Sequence, residues 1–263
     1  MVKPLDIFIT TYLRQAYTEK TIQYLYERTK YPFRLFVIDN GGNKEVLDEA
    51  VKQKKVFLVI RPDSNVGIHA SWNIALSLAE SDYFITSDND IYVPDLTKNN
   101  AVGPAKDSSD YFNANPDNRC WLERMVKFMD ERPDYGAISL HPHVFIGAAG
   151  IKVDDPEDVK ERNMCGAVMR IMRRDAVWKA GGWERVVRTS RNHEERTICS
   201  RIQTAGYKVG IASRIRAYHP FGDNWGYPEE ITPEMQGHNP DLKEYVKSFD
   251  KIQAYNQKTW MPL

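Results

Sequence analysis

Tyr83-Phe84-Ile85-Thr86, running on through Ser87 into Asp88-Asn89-Asp90, is the stretch whose reading decides how this chain folds. Its aromatic and β-branched residues form a short run of the kind that sits inside a sheet. The run ends in charge. Two carboxylates separated by one residue, at the C-terminal end of a central strand, stand where open α/β sheets bind their ligands. Together they offer hard oxygen donors suited to Mg²⁺ or Mn²⁺. The expectation is that this turn carries a divalent ion and that the ion carries a phosphate. Just upstream, Trp72, Ala75, Leu76 and Ala79 repeat at helical spacing behind a loop that begins at Asn65.

Composition narrows the classes. With 263 residues, 42% hydrophobic and 11% aromatic, the chain can bury one sizeable core and fits no disordered or fibrous class. Lys plus Arg and Asp plus Glu each total 36, so no overall basic field exists to hold nucleic acid or an anionic membrane. The three cysteines, Cys120, Cys165 and Cys199, are odd in number and widely spaced, which suggests neither a disulfide framework nor a thiolate zinc site and favours a reducing compartment. The opening residues interrupt any signal-like run with Asp6, and no stretch reaches the length needed to span a bilayer. A soluble, cytoplasmic protein without a transmembrane segment is expected.

Along the chain the first half alternates strand and helix. Strands are expected at Leu5–Thr10, Leu35–Ile38, Val56–Ile60 and Tyr83–Thr86, with helices at Thr18–Arg28, at Val46 to Val51 and through Trp72. That alternation predicts a parallel sheet covered on both faces, with chemistry at the strand ends. Asp95–Arg119 reads as a long surface loop suited to a lid. A helix follows at Trp121–Arg132, then a strand at Ala137–Leu140, an irregular segment at His141–Asn163 and a strand at Gly166–Met172. A short helix stopped by Gly181-Gly182, a helix at Glu194–Ala205 closed by Gly206, and strands at Lys208–Ala212 and Ile215–Tyr218 complete the pattern.

Taken together, these blocks resemble the inverting, GT-A-fold glycosyltransferases of family 2, in the family's order and over most of Leu5 to Gly222. Thr11-Tyr12 stands where that family has Pro-Thr-Tyr, and Val37-Ile38-Asp39-Asn40-Gly41 resembles its second-strand ending, whose acid meets the nucleobase. Asn65-x-Gly67 followed by Asn73 resembles the loop and helix beside the nucleotide, and Asp88-Asn89-Asp90 resembles the Asp-x-Asp motif. Glu194-Glu195 with Arg201 and Ala205-Gly206-Tyr207 is similar to the family's Glu-Asp helix, and Tyr218-His219 with Gly222 resembles its closing strand. Thr10 replaces a frequent proline. Glu195 stands where the catalytic aspartate would fall, so the base lies between Glu194 and Glu195, with Glu195 preferred.

The resemblance implies a single α/β, GT-A (Rossmann-like) domain over 1–220, with a mainly parallel central sheet flanked by helices. Residues 1–94 would form the nucleotide-binding half and 95–220 the acceptor-binding half, with 221–263 a C-terminal extension over the active site. It implies a metal-dependent glycosyltransferase of the hexosyltransferase type that moves a sugar from a nucleoside diphosphate sugar, UDP-linked by preference, to a glycan, lipid-linked or other hydroxyl acceptor. Thr11, Tyr12, Asp39, Asn65, Gly67, Asn73 and Asp88 would bind the nucleotide sugar. Asp88, Asp90 and His219 would hold Mn²⁺ or Mg²⁺.

Physical chemistry supports these roles separately. A diphosphate leaving group needs a cation in an uncharged protein. Asp39 can accept a hydrogen bond from an imide N–H such as that of uracil, and an acceptor hydroxyl needs a general base opposite the leaving group. Blander readings exist: Glu194 and Glu195 also suit a helix N-terminus by charge, Asn65, Gly67 and Asn73 suit loop shaping and capping, and His219 suits a packed strand. His141-Pro142-His143 lacks acidic companions and is read as loop. A nucleotidyltransferase is a rival reading, but no lysine-bearing glycine-rich loop follows Leu5–Thr10. A non-catalytic nucleotide-sugar binder or scaffold is the other, raised by the glutamate at the base position.

Overall fold

The structure, a computed structural model, describes residues 3–94, 120–142, 158–184, 193–217 and 219. Eight strands form one sheet, β1 (Leu5–Thr11), β2 (Phe33–Asp39), β3 (Leu58–Ile60), β4 (Tyr83–Asp88), β5 (Tyr135–Pro142), β6 (Val159–Arg162), β7 (Arg170–Arg173) and β8 (Lys208–Ala217). Six helices accompany them: α1 (Gln15–Arg28), α2 (Lys44–Lys52), α3 (Gly67–Leu78), α4 (Trp121–Glu131), α5 (Arg174–Lys179) and α6 (His193–Thr204). The strand order is β3-β2-β1-β4-β7-β5-β8-β6. The chain starts in the middle of one half, winds outward to β3 and returns to β4; it then enters the second half at β5, sets β6 at the far edge, inserts β7 between β4 and β5, and ends with β8 between β5 and β6.

The first half is parallel, as the alternation of strand and helix requires: β1 pairs with β2 and β4, and β2 with β3. The second half is mixed. β7 lies antiparallel between β4 and β5, β5 and β8 are parallel, and β6 closes the edge antiparallel to β8. The sheet is thus a mixed one with parallel pairings in the majority, and it is continuous from the first half into the second.

Each central strand is apolar on both faces because helices cover both. Ile7, Ile9, Leu35, Val37 and Ile85 pack with Ile22 and Leu25 of α1, Leu47 of α2 and Trp121 and Met125 of α4. Phe8, Phe36, Ile38 and Phe84 face the other way, against Trp72 and Leu76 of α3, Val177 of α5 and Ile198 and Ile202 of α6. Phe8 stacks on Phe36 with ring centroids 4.6 Å apart. Burying a side chain such as Phe8 contributes roughly 2–3 kcal/mol, so the two layers hold β1 and β4 rigidly where the acidic turn begins.

Several expectations need correction. β6 lies inside the segment expected to be irregular, because its Val-Lys-Glu-Arg sequence carries no apolar alternation and its place is set by the β8 edge. Only the end of Gly166–Met172 is strand; residues 166–169 form a strap, with Met169 at positive φ. The two expected last strands are one, β8, with an irregular register opposite Leu140/His141. β3 is shorter than Val56–Ile60. His141 is not loop but a fully buried residue of β5. Cys165 and Cys199, far apart in sequence, meet as buried thiols with sulfurs 3.8 Å apart. The expected lid at Asp95–Arg119, Tyr218, Gly222 and the 221–263 extension lie outside the described residues. Among those residues no helix is long and apolar enough to cross a membrane.

Candidate active site

β1, β2 and β4 end side by side, with Thr11 in register with Asp39 and Thr10 with Asp88, so the residues that follow share one rim. At β2, Asp39 is buried and its Oδ1 accepts hydrogen bonds from Thr11 Oγ1 at 3.1 Å and from the Gly41 amide at 3.0 Å. Its other oxygen faces Arg61 Nε at 3.5 Å, at the mouth of the cleft. Thr11 therefore orients the acid from within the core, while half-buried Tyr12 lies along Gly41.

The backbone leaves β1 under strain. Leu13 and Arg14 both take left-handed conformations, φ 55° and 57°, which cost bulky residues of order 1 kcal/mol each. A buried network holds them there. Asn89 donates through Nδ2 to the Leu13 carbonyl at 3.2 Å and to Thr18 Oγ1 at 2.8 Å, and Thr18 Oγ1 reaches Asn43 Oδ1 at 2.9 Å. Thr21 Oγ1 donates to the Asn89 carbonyl. The middle residue of the acidic turn thus points inward, which leaves its two aspartates to face the cleft.

Asp88, Asp90 and His219 converge there, with one possible ligand atom from each lying within 4.8 Å of the others. Asp90 is buried and accepts from Arg14 Nη1 at 2.7 Å; His219 Nε2 stands 3.4 Å from its other oxygen. Burial opposes ionisation of Asp90, but the charge and hydrogen bond of His219 and the charge of Arg14 outweigh it and hold the carboxyl at about 2. At Asp88 the charge of His219 is outweighed: desolvation first, and the Asp90 charge next, push it up to about 8. Desolvation works against protonation of His219, and the two aspartates overcome it and raise its pKa.

A carboxyl pushed up beside a second carboxylate and an imidazole is a crowding of charge that a bound cation would relieve. Two carboxylates and an imidazole, crowded enough for one acid to hold a proton near neutral pH, fit Mn²⁺ or Mg²⁺. His219 Nδ1 has no partner among the described residues, so the ring is free to settle on an ion.

The second carboxylate centre comes from α6. Glu195 accepts the Ala167 amide at 2.9 Å through Oε1, and Gly166 leaves room for it, since an added Cβ would stand 3.2 Å from that oxygen. Ala167 in turn accepts, through its carbonyl, the Asp88 amide at 3.3 Å and Ser87 Oγ at 3.2 Å. One residue, through the amide on one side of its Cα and the carbonyl on the other, thus joins Glu195 to the strand that carries Asp88. Desolvation and the neighbouring Glu194 raise the Glu195 pKa, against the lowering effects of the Ala167 amide, Arg170 and His219.

Other expected residues serve the frame. Asn65 Oδ1 accepts the Gly67 amide at 2.9 Å, and Gly67 starts α3 with φ 76°. Asn73 spends both ends of its amide on Trp183, accepting from its N–H at 3.0 Å and donating to its carbonyl at 3.1 Å. It locks the Gly181-Gly182 turn. Arg14, Arg61 and Arg170 were missed by the sequence reading. Arg14 offered one faint signal, a cation two residues after Thr11-Tyr12, but its contact with Asp90 spans 76 residues of sequence.

Residues 6–181 match the family described as glycosyl transferase family 2. Among solved structures the fold resembles the mannosyltransferase PcManGT from Pyrobaculum calidifontis in complex with GDP-Man and Mn²⁺, at 14% identity and TM-score 0.60 over 98% of this chain and 76% of that one. It also resembles S. aureus TarS 1–349 in complex with UDP-GlcNAc, at 14% identity and TM-score 0.58 over 97% and 69% of the two chains. GalNAc-T7 with UDP, GalNAc and Mn²⁺ is similar at 13% identity and TM-score 0.58, over 94% of this chain and 48% of that one. At these identities the likeness is one of fold. The sequence matches no curated protein significantly.

Proposed function

The chain belongs to glycosyl transferase family 2, and from that premise we propose that it transfers a sugar from a nucleoside diphosphate sugar, UDP-linked by preference, to a hydroxyl acceptor with inversion. The observation that carries this reading is the Ala167 backbone, whose amide and carbonyl tie a carboxylate with a raised pKa to the strand end where two aspartates meet His219. A metal site and a base at fixed separation are what displacement at an anomeric carbon needs.

In this reading Asp39 accepts the imide N–H of uracil through the oxygen not used by Thr11 and Gly41. Asp88, Asp90 and His219 hold Mn²⁺ or Mg²⁺, which when bound neutralises the diphosphate and stabilises the charge it gains on leaving. Arg14, on Asp90, adds a fixed positive charge beside the same group. Glu195 keeps one oxygen on the Ala167 amide and presents the other to the acceptor. It takes the hydroxyl proton as the acceptor oxygen bonds to the anomeric carbon; the bond to the diphosphate breaks and its electron pair leaves with the phosphate oxygen. Attack from the face opposite the leaving group inverts the centre. The raised pKa suits a base working near neutrality, and the inward setting of Glu195 favours it over Glu194.

In this reading residues 1–94 supply the nucleotide side and Glu195 the acceptor side of one domain. A thermal-shift screen of nucleoside diphosphates and their sugars, with and without Mn²⁺, tests the reading. UDP and UDP-sugars should raise the midpoint only with Mn²⁺ present, and ADP and CDP should not. No shift with any nucleotide would overturn it.

A further inference from the structure

Arg170 is fully buried at the start of β7, opposite Thr86 of β4, two residues before Asp88. Its guanidinium lies 4.8 Å from the ring centre of Trp72 and 5.7 Å from that of Trp183. Nη2 donates to Thr86 Oγ1 at 3.3 Å and Nη1 to the Cys165 carbonyl at 3.4 Å, while Nε has no partner. None of the ion pairs among the described residues engages it. A buried cation held by two neutral oxygens and two aromatic faces costs several kcal/mol unless the surrounding field repays it. Stability alone gives no reason to keep arginine there, since an apolar side chain of similar volume would fill the space beside the Trp72–Trp183 pair at lower cost.

The contacts say what the cation does. Cys165 and Ala167 belong to the strap that precedes β7. Arg170 ties the Cys165 end of that strap to Thr86, and the Ala167 end carries Glu195 on its amide and Asp88 on its carbonyl. Resting on the reading of Glu195 as the base, we propose that Arg170 is a positioning residue for sugar transfer: packed against both rings of the touching Trp72–Trp183 pair, it fixes the 165–167 strap to β4 and so sets where the Glu195 carboxylate stands relative to the Asp88–Asp90 turn. Its positive charge works in the same direction, favouring a carboxylate rather than a carboxylic acid on the strap. The neighbouring Glu194 pushes the Glu195 pKa up, and Arg170 is one of the groups that lower it.

The test uses the whole chain and reads the Ala167 amide, which reports the bond to Glu195 without any donor. The Ala167 resonance is assigned by its displacement in Glu195→Gln. In Arg170→Met, which keeps the bulk against the two tryptophans, the Ala167 and Asp88 amide signals should shift and exchange faster with solvent, while the Gly41 amide, bonded to Asp39 across the sheet, stays in place. Arg170→Lys keeps the charge but cannot reach both oxygens, so its Ala167 signal should fall between the two. In transfer assays kcat should drop roughly 10²-fold in Arg170→Met, with the KM for donor unchanged, as a misplaced base predicts. An Ala167 signal at its wild-type position in Arg170→Met overturns the proposal, as does a change spread evenly over Ala167 and Gly41. If the methionine variant does not fold, Arg170→Lys decides alone, and a spectrum identical to wild type overturns it. Failure of transfer in the wild-type protein would refute the proposed function, while the amide readout would still report whether Arg170 places Glu195.

Discussion

Replacing Asp88 by asparagine should stabilise the ion-free protein and abolish its response to Mn²⁺. In the folded chain Asp88 is pushed from 3.8 to about 8, whereas the unfolded chain keeps the ordinary value. A carboxyl whose folded pKa is raised contributes stability that is complete below the unfolded value and is lost as pH rises toward the folded one. The window therefore runs from pH 4 to 8. At pH 7 the wild-type site opposes folding by about 4 kcal/mol through Asp88, while the lowering of Asp90 to about 2 returns about 2 kcal/mol. Asparagine mimics the protonated acid and removes the first effect. A gain of roughly 2–4 kcal/mol follows, which for a chain of this size is a rise of about 5–10 °C in Tm. The gain should grow with pH between 4 and 8 and then level off. Mn²⁺ should reverse the order, raising the wild-type Tm and leaving Asp88→Asn unmoved, because the ion replaces the proton on a carboxylate the variant lacks. Calorimetric melts in chelator and in millimolar Mn²⁺, at several pH values, provide the assay. An Asp88→Asn protein less stable than wild type in chelator at pH 7, or one with an undiminished Mn²⁺ response, would refute this account of the site.

Other outcomes follow from the same geometry. Glu195→Gln should lower kcat by roughly 10²–10⁴ while donor binding persists, measured by single-turnover transfer and titration calorimetry. The wild-type rate should fall with acidification at a pH above the ordinary carboxylate range, since the raised Glu195 must be ionised to act, and Glu194→Gln should move that fall to lower pH by removing a neighbouring negative charge. Asp39→Ala should weaken UDP binding roughly 10- to 100-fold by calorimetry, the loss expected for a charged acceptor at a base edge; unchanged affinity would place the base elsewhere. Gly182→Ala should cost about 1–3 kcal/mol in denaturant unfolding, because φ is 67° there and the new Cβ would stand 2.5 Å from Asn73 Oδ1, inside the bond pair that locks Trp183.

The local pattern determined the first half of this protein. Aromatic and β-branched runs such as Phe84-Ile85-Thr86, alternating with helical spacing, specify strands buried on both faces, and parallel order follows because short connections through helices permit little else. Family-like blocks then named Asp39, Asp88, Asp90, Glu195 and His219, and the fold brings Asp88, Asp90 and His219 to one point. Tertiary structure alone decided the rest. The Val159–Arg162 sequence has no strand pattern of its own and pairs because an edge of β8 is available to it. Asn73, which the motif assigned to the nucleotide, turns to the Trp183 backbone, since a glycine turn packed beneath α3 offers both a donor and an acceptor. Arg14 reaches Asp90 across 76 residues, and Arg170 reaches Thr86 across 84. No spacing rule relates positions so far apart. Their meeting depends on the order of strands in the sheet and on a charge finding polar partners on a neighbouring strand or turn, and both are properties of the packed sheet rather than of any stretch of its sequence.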